Sequence, residues 1–159
     1  MVQAKTAKLF AAAAEIGAVV SARPKEKQRK LEDFGHHLGM AFQLIDDVLD
    51  YSAQQTTLGK AVGDDFRDGK ITLPIVLSFR SGDEKERTFW RRTLEDLEQK
   101  KGDFKRAVQY LENSGALIAT VERAREYSRK ALDSLSIFPD SEHKQALTEA
   151  AKFAVERSY

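Results

Sequence analysis

The stretch Gly39-Met-Ala-Phe-Gln-Leu-Ile-Asp-Asp-Val-Leu-Asp50 decides how this chain is read. It has the composition of a helix. On a helix Gln43, Asp46, Asp47 and Asp50 fall at i, i+3, i+4 and i+7, along one stripe. The remaining positions, Met40, Ala41, Phe42, Leu44, Ile45, Val48 and Leu49, are apolar. Carboxylates one turn apart repel, and a carboxylate among apolar neighbours is costly unless it is paired or metal-bound. A hard cation such as Mg²⁺ answers both difficulties, because it takes oxygen ligands and keeps several waters. The plainer alternative is a surface carboxylate cluster or the cap of the next element. Downstream lies Thr57-Leu-Gly-Lys-Ala-Val-Gly-Asp-Asp-Phe-Arg-Asp-Gly-Lys70, whose glycines and two spaced lysines, Lys60 and Lys70, suit a polyphosphate held between cations.

Outward from this stretch the chain reads as all helix. A first helix is expected from about Ala4 to Val20, with Ala11 to Ala14 giving strong propensity, until Ala22-Arg-Pro24 breaks it. A second runs from about Lys25 to Tyr51. Gly35 and Gly39 lie four apart on one of its faces and permit the close approach of another helix or of a ligand chain. Residues 52–69 read as an ordered loop, and Pro74 suits the first turn of a short helix to about Phe79. Helices follow at about 84–100, 103–113, 116–136 and 141–157, punctuated by Gly102, Ser114-Gly115 and Pro139. No period-2 run argues for a strand.

Composition narrows the function. A length of 159 residues fits a single domain, 1–159. The net charge is +1, so electrostatics give no reason to expect nucleic acid as a partner. There is no cysteine, which excludes disulfides, thiolate metal sites and cysteine nucleophiles and is compatible with a cytoplasmic location. No apolar run approaches the ~20 residues of a transmembrane helix. His36 and His37 are adjacent, hence about 100° apart on a helix and a poor metal pair.

Taken together, Phe42-Gln43-x-x-Asp46-Asp47-x-x-Asp50, Gly59-Lys60, Gly63-Asp64-Asp65 and Gly69-Lys70-Ile-Thr-Leu-Pro74 resemble the second aspartate-rich region of the trans-polyprenyl diphosphate synthases. The run is most similar to the octaprenyl and decaprenyl branch. Lys5-Thr6 ahead of an alanine-rich helix is also similar to that family. The resemblance implies a helical bundle of the isoprenoid synthase type, here about the C-terminal half of it. It implies Mg²⁺-dependent condensation of isopentenyl diphosphate onto an allylic prenyl diphosphate, in isoprenoid and quinone side-chain synthesis.

The resemblance also implies roles. Asp46, Asp47 and Asp50 would hold Mg²⁺, Asp46 directly and Asp50 through water. Lys5, Lys60 and Lys70 would bind diphosphate oxygens, and Thr6 would lie near the reacting carbon. Phe42 and Gln43 would sit at substrate. Each has a plainer alternative: Thr6 as a helix cap, Phe42 as core, the lysines as surface charges paired with Asp64, Asp65 or Asp68. The family's other aspartate motif has no counterpart here, since Asp46-Asp47 is the first Asp-Asp in the chain and Asp33 is the lone aspartate before it. Little turnover by the chain alone is therefore expected. A homo-oligomer or a partner chain is expected to complete the site. A non-catalytic partner subunit and a plain helical interaction module are the alternative functions.

Overall fold

The computed structural model describes residues 6–52 and 63–156. Every regular element among them is helical, in agreement with the all-α expectation. In chain order they are α1 (Lys8–Val20), α2 (Lys25–Leu49), α3 (Asp64–Arg67), α4 (Leu73–Ser81), α5 (Glu84–Trp90), α6 (Asp103–Asn113), α7 (Ala116–Ser134) and α8 (Glu142–Glu156). A π-helical segment, Arg91–Glu95, continues α5. Among the described residues no helix is long and apolar enough to cross a membrane.

Local chemistry sets the breaks. Ala22 takes a left-handed backbone (φ 50°) just before Arg23-Pro24, and α2 starts at the next residue. Pro74 sits in the first turn of α4, where its missing N–H costs nothing. The Asp83 carboxylate caps α5 by accepting from the Glu86 N–H at 2.9 Å. Two expectations need correcting. The stretch read as loop contains the single turn α3, entered through Gly63 at φ 87°. The helix expected over 84–100 ends early, because its last turn widens into the π segment and Leu97 turns left-handed at φ 56°. Side chains close that end. The Gln99 amide donates to the carbonyls of Phe66 (2.7 Å) and Thr93 (3.1 Å), and Arg92 donates to the Glu98 carbonyl.

The residues divide into two compact units, 1–45 with 122–159, and 46–121. In the first, small residues carry the contact between α1 and α2, and large apolar side chains fill the rest of the core. Ala7, Ala11 and Ala18 are buried near the start of the chain, and Phe34, Ala131, Leu135 and Ala151 form a core cluster. A Cβ on Gly35 would lie 2.2 Å from the Phe10 carbonyl oxygen, and one on Gly39 would lie 2.7 Å from the Ala7 Cα. The expectation of close approach at these glycines is therefore met: α1 packs backbone to backbone on α2.

The second unit is built on rings. Tyr51, Phe66, Phe89, Trp90 and Leu111 are buried, with Phe104 and Tyr110 packed against them. Phe89 meets Trp90 and Tyr110 edge-on at 5.1 and 5.2 Å between ring centroids. Arg92 makes a two-pronged pair with Asp103 (2.9 and 3.1 Å), and Asp103 also caps the Lys100 N–H at 2.8 Å.

Candidate active site

In the first unit, the glycine contact puts Thr6 against α2. Gly39 and Gln43 are one turn apart on the same face, so the helix that seats on Gly39 delivers its N-terminal end to Gln43. The Thr6 Oγ1–H donates to the Gln43 Oε1 at 2.8 Å. Thr6 is therefore not an N-cap: α1 is entered through Ala7, without a side-chain cap bond. Phe42 is half-buried, its ring 5.5 Å from that of Phe10. Lys5 lies outside the described residues, as does Lys60.

In the second unit, the three aspartates do not share one environment. Asp46 and Asp50 are half-buried, whereas Asp47 is only 2% exposed and turned into the protein. Consecutive helical residues diverge by about 100°, so Asp46 and Asp47 face apart although both fit the stripe by spacing. Asp50 lies just past the last residue of α2, and its N–H still donates to the Asp46 carbonyl (3.1 Å).

The chain then returns to Asp50 at Gly63. The Gly63 N–H donates to the Asp50 carbonyl (2.9 Å), and the Asp65 N–H donates to the Asp50 carboxylate (3.0 Å). The Asp65 carboxylate accepts from the Lys70 Nζ at 2.7 Å, and Asp68 accepts from the same Nζ at 3.0 Å. Lys70 is thus paired with the aspartates named in the sequence as its alternative partners.

The electrostatics follow from this layout. Burial, and then the charge of Asp65, push the Asp50 carboxyl above its ordinary value; the N–H groups of Asp65 and Asp64 oppose this without cancelling it. Hydrogen bonds to Asp65 and Asp68 raise the Lys70 ammonium. Burial pushes the neighbouring Tyr51 phenol up as well. Asp50 is a carboxylate held where its charge is disfavoured, and a cation brought to it would relieve that cost. Among the described residues no three acidic or imidazole side chains converge to hold a cation alone. A hard cation bound here would therefore keep water or phosphate oxygens as further ligands.

Asp65 is the site residue whose part the sequence reading underrates. Its signal is the string Gly63-Asp64-Asp65, in which the glycine supplies the positive φ that brings the Asp65 N–H to Asp50.

The sequence profile of the polyprenyl synthetase family matches residues 1–111. The chain belongs to the polyprenyl synthetase family. It is 38% identical over 159 residues to an octaprenyl diphosphate synthase of Haemophilus influenzae, covering 100% of this chain and 48% of that protein. The octaprenyl diphosphate synthase of Escherichia coli is 37% identical over 99% of this chain and 48% of its own length. Among solved structures, a polyprenyl synthase from Caulobacter crescentus complexed with calcium and isoprenyl diphosphate superposes with a TM-score of 0.93 at 47% identity. It covers 99% of this chain and 48% of its own. A decaprenyl diphosphate synthase from Rhodobacter capsulatus gives 0.92 at 38% identity, over 99% of this chain and 49% of its own. The chain spans about half the length of the relatives it matches.

Proposed function

We propose that this chain forms one wall of a prenyl-transfer site, corresponding to the C-terminal half of a long-chain polyprenyl diphosphate synthase. The reaction joins isopentenyl diphosphate to an allylic prenyl diphosphate. The allylic carbon–oxygen bond breaks, with diphosphate leaving on the electron pair. The isopentenyl double bond then forms the new carbon–carbon bond, and a proton is lost to the released diphosphate. The observation that carries the reading is the Asp50–Asp65–Lys70 arrangement, where carboxylates and an ammonium are gathered and Asp50 is held above its usual value. Membership of the polyprenyl synthetase family supports the reaction class.

In this proposal Asp46 and Asp50, with Asp47 behind them, hold Mg²⁺. When bound, the ion would neutralise the diphosphate oxygens and make them a better leaving group. Lys70 exchanges its Asp65 and Asp68 partners for diphosphate oxygens, a contact that strengthens as charge develops on the leaving group. The family resemblance implies that Lys5 and Lys60 also bind diphosphate oxygens. The Gln43 amide, accepting from Thr6, fixes the Thr6 hydroxyl close to the reacting carbon, and Phe42 offers an apolar face to the substrate chain. No side-chain nucleophile is required.

The site is completed by a homo-oligomer or a partner chain that supplies the opposite aspartate-rich wall. Leu9 (69% exposed), Ile16 (60%) and Val20 (77%) support this, because they repeat along one exposed side of α1. The location proposed is the cytoplasm, with which a cysteine-free sequence agrees. The test is condensation of labelled isopentenyl diphosphate onto farnesyl diphosphate with Mg²⁺, run with the chain alone and with a polypeptide covering the other half of a relative. Product is expected when both are present, with little from the chain alone, and Asp46→Ala is expected to abolish it. Activity that survives Asp46→Ala would refute the proposal.

A further inference from the structure

In the second unit, lined by none of the aspartates just described, lies an apolar cavity of about 260 Å³. Ile75, Val76, Phe79, Trp90 and Leu94 wall it, and Ile71, 56% exposed, lies at its outer edge. Several features of this wall are unusual. Arg91, Leu94 and Glu95 reach it from the π-helical segment, a rare conformation that recurs at functional sites. Trp90 is 2% exposed, and its indole N–H is buried with no acceptor among the described residues. Just beyond the π segment, Leu97 holds a left-handed backbone that non-glycine residues rarely adopt.

Of the two arginines at the cavity, one is neutralised by an ion pair and one is not. Arg80 and Arg91 line it against a single acid, Glu95. Arg91 is held in place, paired with Glu84 at 3.2 Å and lying over the Phe79 ring at 5.6 Å. Arg80 is exposed and forms no ion pair with any described residue. An apolar interior beside an unpaired guanidinium matches an apolar tail carrying an anionic head.

We propose that this cavity is a binding site for a free single-chain amphiphile, its tail between Val76, Trp90 and Leu94 and its phosphate or carboxylate head on Arg80. None of its lining residues is one that the diphosphate reading uses. Trp90 is the sole tryptophan in the chain, so its fluorescence reports on the cavity directly. The experiment titrates the chain with monomeric octyl phosphate in EDTA while following Trp90 emission, beside octanol, inorganic phosphate and anionic lipid vesicles.

A saturable shift with octyl phosphate is expected, at least five-fold tighter than octanol, with none from inorganic phosphate. Val76→Phe, which fills the cavity, and Ile71→Asp, at an exposed position that tolerates the change, are each expected to abolish it. Arg80→Glu should weaken binding at least five-fold, and Asp46→Ala should leave it unchanged. An absent shift, an unaltered shift in folded Ile71→Asp, or equal affinity for octanol would overturn the proposal. So would binding to vesicles but not to monomeric octyl phosphate. A dimer that Val76→Phe disrupts, with no response to octyl phosphate, would overturn it in favour of a second copy of the chain.

Discussion

The two compact units differ in what their closest contacts rest on. In the unit of residues 1–45 and 122–159, contact depends on what is missing: no side chain at Gly35 or Gly39, and only methyl groups at Ala7, Ala11, Ala131 and Ala151. In the unit of residues 46–121, contact depends on bulk, with Tyr51, Phe66, Phe89 and Trp90 filling the core. The α1–α2 contact of the first should therefore fail when something is added, and the aromatic core of the second when something is removed. The difference has a functional side. Backbone-to-backbone packing delivers a neutral pair, Thr6 and Gln43, to a defined place, whereas the aromatic unit supports a set of charges around Asp50 that stability alone would not favour.

The largest effect should come from emptying the second unit. Phe66, 2% exposed, touches the Phe104 ring at 5.8 Å between centroids. Phe66→Ala is expected to cost about 3–5 kcal/mol in urea unfolding. Overfilling the first unit comes next. Gly35→Ala places a methyl 2.2 Å from the Phe10 carbonyl oxygen, where no flexible side chain can yield. It should cost about 3 kcal/mol, unusually much for one methyl group. A loss below about 0.5 kcal/mol would break the contrast between the units.

A smaller loss, with a pH signature, belongs to Arg92 and Asp103. The Arg92 guanidinium holds the Asp103 carboxyl below its usual range. A depressed carboxyl stabilises the fold above the ordinary aspartate value near 4 and loses that contribution as pH falls through the lowered one. Arg92→Ala should cost about 2 kcal/mol at pH 7. The gap to the wild type should narrow in unfolding curves taken below pH ~3. The smallest effect sharpens the comparison within the first unit. Gly17 is helical, and a Cβ there meets nothing within 4 Å. Gly17→Ala should raise stability by about 0.5–1 kcal/mol, opposite in sign to Gly35→Ala.

These contrasts also show what could be read from the sequence. The all-α fold and the glycine face at Gly35 and Gly39 were legible, because breakers and spacing are local signals. The pairing of Lys70 with Asp65 and Asp68 was legible too, being a matter of opposite charges a few residues apart. Spacing could not tell that Asp47 turns inward while Asp46 does not, since burial depends on what packs against the end of α2. Nor could it tell that the Thr6 hydroxyl bonds Gln43, a contact across 37 residues, rather than capping its own helix. The early end of the helix after Glu84 was hidden for a similar reason: its closure rests on Gln99 reaching back to Phe66. Lys5 and Lys60 lie outside the described residues, so their parts rest on the family pattern alone.

The central claim is that the aspartates at the end of α2, together with Lys70, bind Mg²⁺ and a diphosphate. It is tested most directly by thermal unfolding of the chain with Mg²⁺, with farnesyl diphosphate, and with both. Ligand that binds only the folded state at a hundred times its Kd adds about 2.7 kcal/mol. The account predicts a rise in Tm of several degrees when both are present, little with either alone, and none in Asp46→Ala. An unchanged Tm with both present, or the same rise in Asp46→Ala, would contradict it.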